Sequence, residues 1–247
     1  MISINDNSDK DYIITYITTD QREHKTYTDQ FGDAKILFTY FDGNKWKICF
    51  DNKPTVIPGD VFHGWYNLKE ITLPNCVRVI ENGALMGCIE LEEIVIPDSV
   101  AIIEENAFNS CYKLKEIQWG ENVDSIGPDA FFDCKELKSI TFPDKVRIIK
   151  ERALSGCEKL ESVTFGKNIK FIGYDLLLCD SNLREIRFTG AEPPEVEYFL
   201  DLYGYENDIK IYVPNEYIYN YLYRSRNWPR EYLEIIRRTY DASRTEQ

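Results

Sequence analysis

Leu68, Leu91, Leu114, Leu137, Leu160 and Leu183 recur at a constant interval of 23, and three positions after each comes Ile71, Ile94, Ile117, Ile140, Val163 or Ile186. A fixed period of this length marks one supersecondary unit stacked on copies of itself, each too small to bury its apolar side chains alone. Within a unit, Ile117 and Trp119 show the alternation of a strand with one buried face. Pro74, Pro97, Gly120, Pro143 and Gly166 follow at one position, where a missing amide donor or a permissive backbone ends the strand and turns the chain. Val77, Val100, Val123, Val146 and Ile169 open a second inward segment, closed three positions later by Ile80, Ile103, Ile126, Ile149 or Ile172. Steps such as Ala107-Phe108 and Ala153-Leu154 supply a third apolar edge. Three edges meeting in one core predict a solenoid of about six coils.

The period fades at both ends, as it must if terminal units are to cover the core. Ile36 to Asp51 reads as a β-hairpin in which ILFTYF and WKICF bracket the turn signal Asp42-Gly43-Asn44. That hairpin is expected to cover the open face of the first coil. After Glu192-Pro193-Pro194 a tyrosine-rich tail begins, with ten of the seventeen tyrosines beyond residue 190. Asn215 is expected to cap a helix running to about Arg226, and Trp228-Pro229 to open a second reaching about Arg238. Tyr217 with Tyr221, and Tyr219 with Tyr223, fall four apart and give the first helix two aromatic sides. The expected division is a leader and hairpin cap over 1–55, the solenoid over 56–190 and a capping segment over 191–247.

Composition narrows the function. Hydrophobic content of 43% supports a continuous core, while 42 acidic against 29 basic residues leave a formal charge of −13. Such a surface repels phosphate backbones and anionic lipid, so nucleic acid is not expected as a partner. No apolar run approaches the ~20 residues a membrane helix needs, so no membrane insertion is expected. Met1 to Lys10 is polar and acidic, unlike an export signal. Cys88, Cys111, Cys134 and Cys157 share one repeat position, with Trp65 and Asp180 filling it in the outer units. Without a C-x-x-C pair and with only two histidines, metal ligands are scarce, and neither metal nor cofactor is expected. Stacked thiols about 4.8 Å apart exceed the ~3.5–4.5 Å between Cβ atoms that a disulfide requires, which predicts a buried, unbridged ladder. Neither His24 nor His63 has a Ser or Cys at a motif spacing, so no catalytic residue is expected.

The unit L-x-x-I-x-[LIWF]-[PG]-x-x-V-x-x-I-x-x-x-A-F-x-x-C resembles the BspA-like leucine-rich repeat family, found in many bacterial surface proteins. Phe31-Gly32, Tyr40-x-Asp42-Gly43 and Ile48-x-Phe50-Asp51 are similar to its leader hairpin, and Ile211-Tyr212-Val213-Pro214 with Tyr221 and Trp228 to its closing segment. The resemblance implies a β-rich (α/β) solenoid, a right-handed coil stack with an N-terminal β-hairpin cap and a C-terminal strand and helix cap. It also implies adhesion or host and partner recognition through the repeat surface, without catalysis. A structural spacer or scaffold domain of a surface protein is the alternative; a carbohydrate-active or other enzyme with a carboxylate site ranks third. By resemblance the location is the cell surface or outside the cell if an export signal preceded Met1, and the cytoplasm if Met1 is the native start.

Two columns of outward positions are candidates for contact with a protein partner. Just before the second inward Ile stand Val79, Ile102, Ser125, Ile148 and Phe171, four apolar residues in five coils. At ~4.8 Å per coil they make a stripe about 20 Å long, which is expected either to bind a partner or a second copy, or to be covered by a terminal segment. The alternative is an acidic strip of Glu70, Glu93 and Glu116 on the first strand.

Overall fold

The computed structural model describes residues 10–198, 209–225 and 228–245. Four strands precede the coils: β1 (Ile13–Thr18), β2 (Gln30–Phe31), β3 (Ala34–Phe41) and β4 (Trp46–Phe50). From there the chain alternates between two stacks. The second stack is one parallel sheet of two-residue strands: β5 (Val56–Ile57), β7 (Val79–Ile80), β9 (Ile102–Ile103), β11 (Ser125–Ile126), β13 (Ile148–Ile149), β15 (Phe171–Ile172) and β17 (Glu195–Val196). The first stack holds β6 (Leu68–Thr72), β8 (Glu93–Val95), β10 (Glu116–Gln118), β12 (Ser139–Thr141), β14 (Ser162–Phe165), β16 (Glu185–Phe188) and β18 (Lys210–Tyr212). Residues at equal repeat positions pair directly: Ile94 with Ile117 in the first stack, Ile126 with Ile103 and Ile149 in the second. Core side chains therefore lie over their own counterparts. Phe142, Phe165 and Phe188 stack ring on ring at 5.7 and 4.9 Å between centroids.

The coils are held at a spacing that leaves little room at the turns. A Cβ added at Gly120 would stand 2.3 Å from the carbonyl oxygen of Pro97 one coil earlier. Gly120, and Gly166 over Pro143 in the same way, leave room for that close approach. Asp60, Asn106 and Asp129 hold a left-handed backbone at one repeat position, where Asx side chains tolerate positive φ best among the non-glycine residues.

Hairpin β3–β4 forms as expected, but a different strand meets the first coil. β1 lies between β4 and β6 and runs antiparallel to both, pairing Ile14 with Ile48 and Tyr16 with Ile71. Ile48 and Phe50 lie one repeat length before Ile71 and Leu73, so β4 already stands in repeat register. β1 is thus inserted between two coil strands, its Ile14 and Tyr16 buried in the common core.

At the other end the tail departs from expectation. Asn215 caps nothing with its side chain: Asn215–Tyr217 is a 3-10 turn entered from Pro214, whose fixed φ of −59° sets the start one residue earlier. Helix α1 (Ile218–Tyr223) ends before Arg226, which lies outside the described residues. Helix α2 (Arg230–Thr245) runs past Arg238 because no glycine or proline follows to stop it. The two aromatic sides of α1 have different fates. Tyr221 is buried against Phe188 and Trp228, its hydroxyl donating to the Gly190 carbonyl at 3.0 Å, whereas Tyr219 and Tyr223 pair ring to ring at 4.7 Å in solvent.

None of the seven cysteines is in a disulfide, and the four in register are fully buried. Their thiols donate to carbonyls 26 residues earlier: Cys88 to Phe62, Cys111 to Leu85, Cys134 to Phe108 and Cys157 to Phe131, at 3.3 to 3.5 Å. The thiol is a small group that fits this buried slot and adds a second, weak bond to a carbonyl that already accepts a backbone amide, as Leu85 does from Cys88 at 3.3 Å. Burial pushes the Cys111 thiol up to about 12, so thiolate is scarce at neutral pH. In native protein an alkylating reagent is expected to modify exposed Cys179 first and to leave Cys111 and Cys134 unmodified until denaturant is added. Mass spectrometry of timed quenches checks this; rapid native labelling of Cys111 or Cys134 would contradict a closed core.

Candidate interaction surfaces

The second sheet places the expected stripe in one column. Val56, Val79, Ile102, Ser125, Ile148, Phe171 and Glu195 are direct partners across seven parallel strands. Sequence reasoning missed Val56, although it stands one repeat length before Val79, because the period was read from the leucines, which begin at Leu68. Glu195 escaped for another reason: one extra residue separates it from Phe171. Ile102 is 41% exposed, while Val79, Ile148 and Phe171 are half-buried among their own neighbours. Helix α2 packs on β18 at the end of the first stack, and its Tyr232 ring lies 6.4 Å from that of Tyr198, just beyond β17.

Charged residues border the stripe unevenly. Two positions beyond Val79 and Ile102 are Glu81 and Glu104, whose carboxylates accept the backbone amides of Gly59 at 3.0 Å and Asn82 at 3.2 Å. Around its far half stand Arg147, bonded through two nitrogens to Asp124, and Lys150, whose ammonium lies 5.3 Å from the Phe171 ring centre. Arg147 holds the Asp124 carboxyl below the usual carboxylate range. Both signs occur at each end: exposed Arg78 stands beside Val79, and Glu195 pairs in register with Phe171, with Glu197 two positions on, so the surface is an apolar strip with a mixed charged border.

The acidic strip is less acidic in space than in sequence. Glu93 and Glu116 pair in register on β8 and β10, but Glu70 lies 3.2 Å from the Lys45 ammonium of the hairpin turn. Lys69 and Lys115 share the shallow groove of about 300 Å³ that Glu70, Glu92, Glu93 and Glu116 line. Lys115 sits 2.7 Å from Glu92 and holds its carboxyl below the ordinary value, the opposite of what a general acid needs. Among the described residues this pair is one of seven that join equal positions of neighbouring coils, with Lys113–Glu90, Lys135–Glu158 and Lys167–Asp144 among the others. Of the strip itself, Glu70 is paired with the hairpin turn, while Glu93 and Glu116 stand side by side in a groove whose lysines offset part of their charge.

A second cleft, of about 450 Å³, was not foreseen because β1 builds it. Ile13 and Thr15 of β1, Lys47 of β4 and Val95 of β8 line it with Pro74 and Pro97. Its charged members already have partners: Asp11 meets Lys53 at 2.7 Å and Lys47 meets Asp42 at 3.1 Å. Among the described residues no helix is long and apolar enough to cross a membrane.

Comparison with known proteins agrees with this architecture. A family model described as the BspA type leucine rich repeat region matches six copies over residues 55–184, a little over half of the chain. The chain is similar to a solved leucine-rich repeat protein of T. pallidum, with 26% identity and a TM-score of 0.54 over 70% of this chain and 79% of that one. A leucine-rich repeat protein from Bacteroides ovatus gives 27% identity and a TM-score of 0.55 over 81% of this chain; the match spans 51% of that protein's length. At 23% identity and a TM-score of 0.50, the pneumococcal vaccine antigen PcpA shares the fold over 62% of this chain and 38% of its own. No curated protein matches the chain. With six family repeats in register along a solenoid of two strand stacks, the chain belongs to the BspA-type leucine-rich repeat family.

Proposed function

We propose that the chain is a non-enzymatic interaction module that binds a partner protein along the stripe of Val79, Ile102, Ile148 and Phe171. The observation that carries this is the exposed Ile102 in a column of apolar side chains that pair directly across the parallel strands of the second sheet. Covering such side chains contributes about 1.5–3 kcal/mol each when burial is complete, before the costs of association. The acidic strip around Glu93 and Glu116 is the weaker site, because its neighbours Lys69 and Lys115 reduce its field.

Replacing Val79, Ile102, Ile148 and Phe171 by Ser is expected to change the melting temperature by no more than a few degrees, since Ser125 already occupies this column between Ile102 and Ile148. Proteins retained by the immobilised chain are to be purified and titrated against it and against this variant. At least a tenfold loss of affinity is expected for the variant. Equal affinity for both would reject the stripe, and loss on charge reversal of Glu93 and Glu116 instead would move the site to the acidic strip. A chain that retains no protein would be the structural spacer. A steep fall in melting temperature would make the column an internal seam.

A further inference from the structure

The charges beside the stripe sort by side rather than by end. Each coil runs across the stripe, so the position just before the column lies on its upstream side and the positions two and three beyond lie on its downstream side. In the five coils from Val79 to Phe171 the upstream side carries Arg78, Arg147 and Lys170 with one acid, Asp124, which Arg147 holds. The downstream side carries Glu81, Glu104, Glu105 and Glu151 with one base, Lys150, whose ammonium stands over the Phe171 ring. Arg78, Lys170 and Glu105 are exposed. The backbone amides that Glu81 and Glu104 accept are neutral and leave the two carboxylates charged. Three bases against one acid make one flank positive by two, and four acids against one base make the other negative by three.

We infer that the partner presents an amphipathic α-helix laid lengthwise on the stripe, its acidic flank against Arg78 and Lys170 and its basic flank against Glu81, Glu104 and Glu105, which rests on the stripe being the binding surface proposed above. Spacing selects the helix. Its apolar seam returns once per turn, every ~5.4 Å, against ~4.8 Å per coil, so over the stripe the mismatch grows to about 2 Å, under half a coil. An extended strand sets side chains on one face every ~6.7 Å and turns the intervening ones away, so it cannot offer charges on both sides of a seam. A polyproline helix returns every ~9.3 Å and reaches only alternate coils. A helix seam, by contrast, is flanked on both sides by positions that can carry opposite charge. Turning such a helix end for end exchanges its flanks, so the unlike sides of the stripe fix the direction in which the helix lies.

Three stapled helical peptides of identical composition test this, each with a leucine seam and about 15 residues long, which spans the stripe at ~1.5 Å per residue. One carries its acids on one flank and its bases on the other, one has those flanks exchanged, and one has the signs mixed on both. Fluorescence anisotropy against the full chain is expected to show both sorted peptides binding about tenfold tighter or more than the mixed one. Arg78→Glu combined with Lys170→Glu, at two exposed positions, should abolish that preference while melting as wild type does. Ile102→Ser should weaken all three peptides. A photo-crosslinker on the N-terminus of a sorted peptide should react at one end of the stripe only, and at the opposite end when the flanks are exchanged. Equal affinity of sorted and mixed peptides, or crosslinks at both ends from one peptide, would overturn the inference. If no peptide binds although the four-serine variant loses the protein that wild type retains, the helix is overturned and the stripe stands. If the four-serine variant holds that protein equally well, the stripe falls and this inference falls with it.

Discussion

Leu114→Ala is expected to lower the free energy of unfolding by about 2–5 kcal/mol, the larger part from a cavity that the stack cannot close. Leu114 is fully buried, with Leu91 and Leu137 at the same position in the coils on either side. Those neighbours are fixed by backbone bonds, such as the Lys115 amide to the Glu92 carbonyl at 2.8 Å, so they cannot move inward to fill the space. Leu183→Ala, also at a fully buried position, should cost less. Its outer neighbour is the irregular last coil, where Ile186 pairs with Ile211, later than the repeat period would place a partner, and the packing is completed by separate helices that can shift. Urea unfolding of both variants decides the point. Equal losses would mean that coils do not act as nearest-neighbour units, the energetic premise of a solenoid.

How much of this was legible follows from which interactions repeat. Ile80, Ile103, Ile126, Ile149 and Ile172 were readable as one inward column because parallel stacking in register turns a sequence period directly into a spatial neighbour. β1 carried a signal too, the β-branched and aromatic run Ile13 to Thr18, yet its place could not be read. Its partners β4 and β6 are antiparallel and lie far along the chain, and nothing in a fixed repeat period states that a strand has been inserted between two coils. The thiol ladder was legible as a column, but its bond was not: the acceptor lies 26 residues back, at a carbonyl that no side-chain pattern marks. For the candidate surfaces, position was legible and exposure was not. Ile102 and Val79 read alike in sequence, and only the coordinates distinguish the open residue from the half-buried one. Glu70 looked like part of a uniform strip until the hairpin turn brought Lys45 beside it.

Asp180 shows what happens when the ladder receives the wrong group. It occupies the thiol slot of the last full coil and is completely buried. Burial pushes its carboxyl from the ordinary 3.8 up to about 9, against backbone bonding at Cys157 and Gly156 that favours the charged form. At neutral pH the folded chain therefore holds a proton that the unfolded chain has released. As pH rises from about 4 towards about 9, the unfolded state gains on the folded one, and Asp180 lowers stability progressively across that window. Asp180→Cys removes this titration and places a thiol where Cys157 and its counterparts reach back to a carbonyl one coil earlier. The variant is expected to be more stable than wild type by roughly 1–3 kcal/mol at pH 8, the scale of relieving a buried polar group, and by much less at pH 5, where the burial of a neutral acid costs little extra. Thermal or urea melts of both proteins from pH 5 to pH 8 measure the difference. A gain of equal size at every pH would show that Asp180 is not protonated in the fold, and a loss would show that its carboxylate holds the last coil together rather than straining it.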